Sequence, residues 1–274
     1  GGDRTGGRTP GVTVVLCGVG GDTGNVRPVP QVDADGRFEY VPIPEKGPTT
    51  ETSTYGSLPQ RYGDGPLADL LAGVRPGSDG GWLTDPDTVA AHPVHHDPNL
   101  DALTYGEHRP AYVSRLRGLD PGDVVAFYTG LRGPDSDEKH RYLFGYLTVG
   151  AEPTVLDPEM DPGAKRRALE THPQNAHTRR FQAAGDLYYH DESVTDRPET
   201  VVIVDGCEPG GLLDRAVRLS DRRQGPNYYM ASELVERLTP ESAGEGGVHL
   251  GGIKPAIRAE VSRQRFLDVL DRRP

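Results

Sequence analysis

Short β-branched and aromatic runs, bounded by glycine and proline, dominate the hydrophobic pattern of this 274-residue chain. Val12–Val19 (VTVVLCGV) is too short for a stable amphipathic helix, so it reads as a strand running into the glycine-rich turn Gly20–Asn25. Arg115–Gly150 predicts a strand pair: a Pro121-Gly122-Asp123 turn, then Val124–Tyr128, a polar connection, and Tyr142–Val149. Arg37–Ile43 is extended and ends in a Pro-Ile-Pro clasp, residues 44–66 read as a long ordered loop, and the fully apolar Val201–Val204 predicts a buried strand. Helices are expected at Leu67–Val74, at Pro110–Leu119 with proline in the first turn, and over 161–184 in two pieces broken around Pro173. Two late helices follow, Ser232–Leu238 and Ala259–Leu270, the second with an apolar stripe of Val261, Phe266, Val269 and Leu270. Strands and helices mix without a βαβ rhythm. The expected class is therefore α+β, with a mainly antiparallel, partly barrel-like sheet, flanking helices and long loops. A flexible N-terminal arm (1–11) and a single domain (12–274) complete the expectation.

Composition narrows the partners. The formal charge is −11, with 25 Asp among 41 acids, and only four lysines stand beside 26 arginines. An acidic, lysine-poor surface suits a protein kept soluble in a salty cytoplasm, although a GC-rich genome also favours arginine. Such acidity counts against non-specific binding to nucleic acid, where phosphate neutralisation supplies most of the affinity, but leaves room for a recessed site for one nucleotide. Cys17 and Cys207 lie in or beside apolar runs, read as two buried thiols, and have neither metal-ligand nor disulfide spacing. No run reaches the length of a membrane span and no signal peptide is visible, so a cytoplasmic, soluble protein is expected.

Several polar groups are candidates for chemistry. The Gly18–Gly24 turn follows a strand, and its backbone N–H groups suit an anion; Asp22 and Asn25 crown that strand end. It is neither a Walker loop nor a dinucleotide fingerprint. His92–Glu107 holds His92, His95, His96, Asp97, Asp101, Tyr105 and Glu107, ordinary ligand types for zinc, iron or manganese, so a metal is conceivable; the spacing gives it little support, and a solvated Asp-Pro loop is the plainer reading. Asp97 and Tyr105 are retained from it. The strongest polar cluster is HPQNAHTRR at His172–Arg180; between Gly163 and Arg180, Lys165, Arg166, Arg167, Arg179 and Arg180 stand against Glu170 alone, a local reversal of charge. A guanidinium grips phosphate bidentately, Asn175 suits a helix cap or a base edge, and His177 suits proton transfer near neutrality. Aromatic pairs recur at Phe127–Tyr128, Tyr188–Tyr189 and Tyr228–Tyr229; strand alternation sends one member of each outward, and Tyr128 with Arg132 close behind it suits base stacking. Lys254, a scarce lysine after a glycine pair, is a further candidate anion contact, although chance explains its place nearly as well.

Six phrases together resemble the third of the nucleotide modification associated domain families: VGGDTGN (19–25), YVPIPE (40–45), DPNLDALTYGE (97–107), GLDPGDVVAFYTGLRG (118–133), NAHTRR (175–180) and LGGIKP (250–255). The resemblance implies a process, the making or handling of modified bases in DNA, and transfers no catalytic residue. The leading expectation is a nucleotide or modified-base binding protein of a DNA-modification or related defence system. Asn25, Tyr105, Tyr128, Arg132, Asn175, Arg179, Arg180 and Lys254 would contact the ligand. An enzyme acting on a nucleotide or base is the alternative, with His177 as acid/base and Asp22 or Asp97 as partner. A scaffold for partner modification enzymes is the third. No cofactor or metal is assigned.

Overall fold

Alternate residues of the first apolar run bury into different cores, Val14 and Leu16 into one, Val15 and Cys17 into the other. That is the period of a strand covered on both faces, and it explains why the run is continuous rather than alternating. The computed structural model describes residues 11–77, 80–134, 138–185, 200–225, 227–243, 246–250 and 256–272. Residues 1–10 of the expected N-terminal arm, Tyr188, Tyr189 and Lys254 lie outside the described residues, and Gly11, the last residue of that arm, opens the first strand.

The main sheet has seven strands: β1 (Gly11–Gly18), β2 (Thr104–Glu107), β3 (Val124–Arg132), β4 (Lys139–Val149), β5 (Thr154–Leu156), β6 (Val201–Arg218) and β7 (Ile257–Ser262). Their order is β7-β1-β3-β4-β6-β2, with β5 also on β6. Only β1 and β3 run parallel; the other pairings are antiparallel. The α+β, mainly antiparallel class is thus realised as an open sheet whose strands do not close into a barrel. Smaller antiparallel ladders pair Val26–Arg27 with Gly73–Val74, Ile43–Pro44 with Val94–His95, and Ser220–Gln224 with Asn227–Met230.

Helices cover both faces of the sheet. On one side α5 (Ser232–Leu238) and α6 (Arg263–Leu270) press Leu234, Leu238, Phe266 and Val269 onto Val14, Val124 and Tyr128. On the other, α2 (Pro110–Leu116) presses Tyr112, Val113 and Leu116 onto Val125, Phe127 and Phe144. A third cluster, built by Val26, Val41, Tyr55, Leu67, Val74, Val89 and Val94, gives residues 26–94 a small core of their own, to which α1 (Pro86–Ala91) contributes Val89. Finally α3 (Pro162–Glu170) and α4 (Ala176–Ala184) cover β5 and the start of β6 through Leu169 and Phe181. Among the described residues no helix is long and apolar enough to cross a membrane.

Several expected elements differ. The Ala259–Leu270 segment is half strand: Ile257–Ser262 pairs with β1, and the helix starts only at Arg263, where Ser262 caps it by accepting the Arg265 N–H. The stripe that suggested one helix is two elements facing the same core, since Val261 belongs to the strand and Phe266 and Val269 to the helix. Leu67–Leu70 makes a single 3₁₀ turn, not a helix to Val74. Cys17 is buried as expected, but Cys207 is exposed.

Candidate functional site

One cavity of about 480 Å³ opens where the small core of residues 26–94 meets the β1 end, strand β2 and the first turn of α4. The Ile43–Pro44/Val94–His95 ladder carries Glu45 and His95, and Asp97 follows two residues on. Strand β2 contributes Tyr105, Gly106 and Glu107; α4 contributes His177 and Arg180, three apart and therefore on one helix face. Asn175 caps α4 by accepting the His177 N–H (3.0 Å) and donates to Thr104 Oγ1 (3.2 Å), which ties the helix start to β2. Gly106 makes the close approach possible. A Cβ there would run into the His177 ring and stand 2.9 Å from Asn175 Oδ1.

A buried His–Asp–His cluster lines the cavity. His177 Nε2 lies 2.9 Å and His95 Nε2 3.9 Å from the same oxygen, Asp97 Oδ2. The Gly106 N–H donates to both Asp97 oxygens, at 3.0 and 3.2 Å. One donor atom from each of His95, Asp97 and His177 lies within 4.8 Å of the others. Behind His95, Glu45 Oε2 meets Nδ1 at 2.9 Å, while Glu45 Oε1 pairs with Arg180 and accepts the Lys46 N–H at 2.8 Å. Beside the cluster, Glu107 accepts from Tyr105 Oη (2.7 Å) and from Arg109, whose Nη2 stands 2.6 Å away.

Burial sets the protonation states. It pushes Asp97 up from the usual carboxylate range, against the pull of His95 and the Gly106 N–H. It pushes His177 and His95 down, and the nearby Arg180 charge adds to both shifts. Burial thus disfavours the charged form of both members of the Asp97–His177 pair. Burial, and then His177, takes His108 down to about 3. Glu107 behaves oppositely: burial raises it, but Arg109 overrides this and holds it at about 2. Burial, then Glu107, pushes the Cys17 thiol up, so no thiolate forms there.

Five of the expected residues, Asn25, Asp97, Tyr105, His177 and Arg180, line this cavity. The expected solvated loop is instead packed, with His95, Asp97, Asn99 and Glu107 all buried. Asn175 is fully buried behind the wall as a cap. Other expected residues do not line it. Asp22 is gripped by Arg141 (2.6 Å) and Lys139 (2.7 Å) on β4. Arg132 donates to the Val29 carbonyl, and Arg179 pairs with Glu51. Tyr128 is in the core: with both sheet faces covered, alternation sends it into one hydrophobic cluster and Phe127 into the other, and neither outward. Sequence reasoning set His95 and Glu107 aside with their segment and did not single out Glu45 or Arg109. A usable signal existed for Glu45, which ends the YVPIPE phrase.

Residues 13–246 match the family described as nucleotide modification associated domain 3. The chain belongs to this family. The matched span contains every cavity residue named above, so the site lies within the family domain. No curated protein and no solved structure matches the chain.

Proposed function

We propose that this nucleotide modification associated domain is an enzyme that takes a nucleotide or nucleobase into the cavity and reacts it at the His95–Asp97–His177 cluster. The observation that carries this reading is the convergence of a buried carboxylate and two imidazoles, from segments some 80 residues apart, on one oxygen inside a ligand-sized cavity. A passive pocket has no need of that arrangement; groups that hold or pass a positive charge at a reacting atom do. The volume falls in the roughly 300–1,000 Å³ range of small-ligand sites. Val19, Ile43, Pro44 and Pro76 offer apolar walls for a flat ring, and the exposed Lys46 with the half-buried Arg75 suits a phosphate. The net charge of −11 favours a free nucleotide or a single extruded base over a long DNA footprint. Other DNA-modification proteins are the natural partners of such an enzyme, and the cytoplasm its compartment.

Calorimetric titration with nucleoside monophosphates and short oligonucleotides, followed by mass spectrometry of each mixture, tests this. Saturable binding is expected, weakened roughly 10–100-fold in a Lys46→Ala/Arg75→Ala variant. Conversion should vanish in Asp97→Asn. No binding of any nucleotide or oligonucleotide would overturn the reading.

A further inference from the structure

We propose that His95, Asp97 and His177 bind one divalent first-row transition metal ion, through His95 Nε2, one Asp97 oxygen and His177 Nε2, with its remaining positions open to the cavity. The inference rests on the cavity reading only for what would occupy those open positions. Metal–ligand bonds of about 2.0–2.2 Å put neighbouring donors roughly 3 Å apart. The observed 2.9 and 3.9 Å to Asp97 Oδ2 are therefore within side-chain adjustment of a shared ion.

Orientation supports the same conclusion. Glu45, whose Oε1 pairs with Arg180, places Oε2 2.9 Å from His95 Nδ1, so that a carboxylate takes the Nδ1–H and fixes the tautomer. Nε2 is then the nitrogen that bears the lone pair, 3.9 Å from Asp97 Oδ2 and too far for a direct hydrogen bond. A cation between them fills that gap, and a carboxylate behind a histidine is the usual outer support of a metal ligand. The two Gly106 hydrogen bonds fix the Asp97 carboxyl plane in turn.

Charge compensation singles out Asp97. Of the buried carboxylates here, Glu45 has Arg180 and Glu107 has Arg109. Asp97 has only imidazoles: among the described residues no guanidinium or ammonium lies within ion-pair distance of it. Two imidazoles, one carboxylate and no thiolate select iron(II), manganese(II), cobalt(II) or zinc over softer ions, and open positions are the mark of a reactive site over a structural one. With the ion bound, His177 is a ligand and does not serve as the acid/base of the reaction.

The test is titration of the full chain with Co2+ in the absence of nucleotide, followed by its d–d absorption and by calorimetry, with Zn2+, Mn2+ and anaerobic Fe2+ as further probes. One equivalent of Co2+ is expected in a nitrogen/oxygen environment. Affinity should fall more than about 100-fold in His95→Ala and His177→Ala, and about 10–100-fold in Glu45→Gln, where only the outer support is altered. His96→Ala, in the same segment but outside the cluster, should bind normally. Asp97→Asn is nearly isosteric and keeps the test decisive if an alanine variant fails to fold by circular dichroism. Absence of binding of all four ions to folded native protein, or undiminished binding in Asp97→Asn, would overturn the proposal. Either result leaves nucleotide binding, measured separately, to stand or fall by itself.

Discussion

Asp22 and Asp97 are both buried carboxylates beside a glycine-containing segment, but their surroundings are opposite. Asp22 is saturated by permanent charge: Arg141, Lys139 and the Thr23 N–H (2.7 Å) all point at it. Asp97 is surrounded by groups that hold or release a proton, His95 and His177, and by one glycine N–H. The first arrangement locks β4 to the turn after β1 and has no capacity left for a ligand. The second leaves a buried negative charge to be balanced by something that can come and go. Burial of a carboxylate is therefore poor evidence of function until the nature of its counter-charge is known.

The largest expected effect would break the comparison from the Asp22 side. Asp22→Ala leaves Arg141, only 4% exposed at its side chain, without its carboxylate, and should lower unfolding free energy by about 3–5 kcal/mol in denaturant melts. Asp97→Asn, which keeps shape and removes a charge that has no guanidinium or ammonium within ion-pair distance among the described residues, should leave stability unchanged or higher while abolishing the chemistry. Equal destabilisation by the two would erase the distinction.

Gly106→Ala is expected to come next. The added methyl drives into the His177 ring and should cost about 1–3 kcal/mol while weakening both ion and nucleotide binding. Asn175→Ala should cost about 1 kcal/mol by uncapping α4, readable as a lower melting temperature, with a smaller loss of affinity because His177 rides on that first turn. The Glu107–Arg109 pair supplies a pH signature. Glu107 is held at about 2, below its ordinary 4.5, so its stabilising contribution is complete above pH 4.5 and is lost as pH falls through about 2. Glu107→Gln should therefore be less stable than native protein near neutrality, with the gap narrowing over that acid window. Tyr128→Phe, deep in the core, should leave nucleotide affinity unchanged, the smallest effect of the series.

What was legible in the sequence were features that act locally. The NAHTRR phrase showed a capping Asn followed by a His and an Arg three residues apart, and that spacing alone puts His177 and Arg180 on one face. The strand pair was readable from its β-branched and aromatic residues, although both strands extend further than the apolar runs, to Arg132 and from Lys139. What was not legible depends on partners far along the chain. Glu45 acquires its role from His95, 50 residues away, and from Arg180. Adjacent Arg179 and Arg180 look equivalent, yet one pairs with Glu51 and the other with Glu45 at the cavity. Tyr128 was misjudged because alternation specifies that neighbours face opposite sides, not that one side is solvent.

The most direct test of the account is the thermal shift produced by Co2+ in three proteins: native, Asp22→Asn and Asp97→Asn. Mass action predicts that a hundredfold excess over Kd stabilises a binding-competent fold by about 2.7 kcal/mol. Native protein and Asp22→Asn should both show that gain, from different starting temperatures, and Asp97→Asn should show none. A gain in Asp97→Asn equal to native, or its absence in native protein, would contradict the assignment of Asp97 as the carboxylate held for an incoming cation.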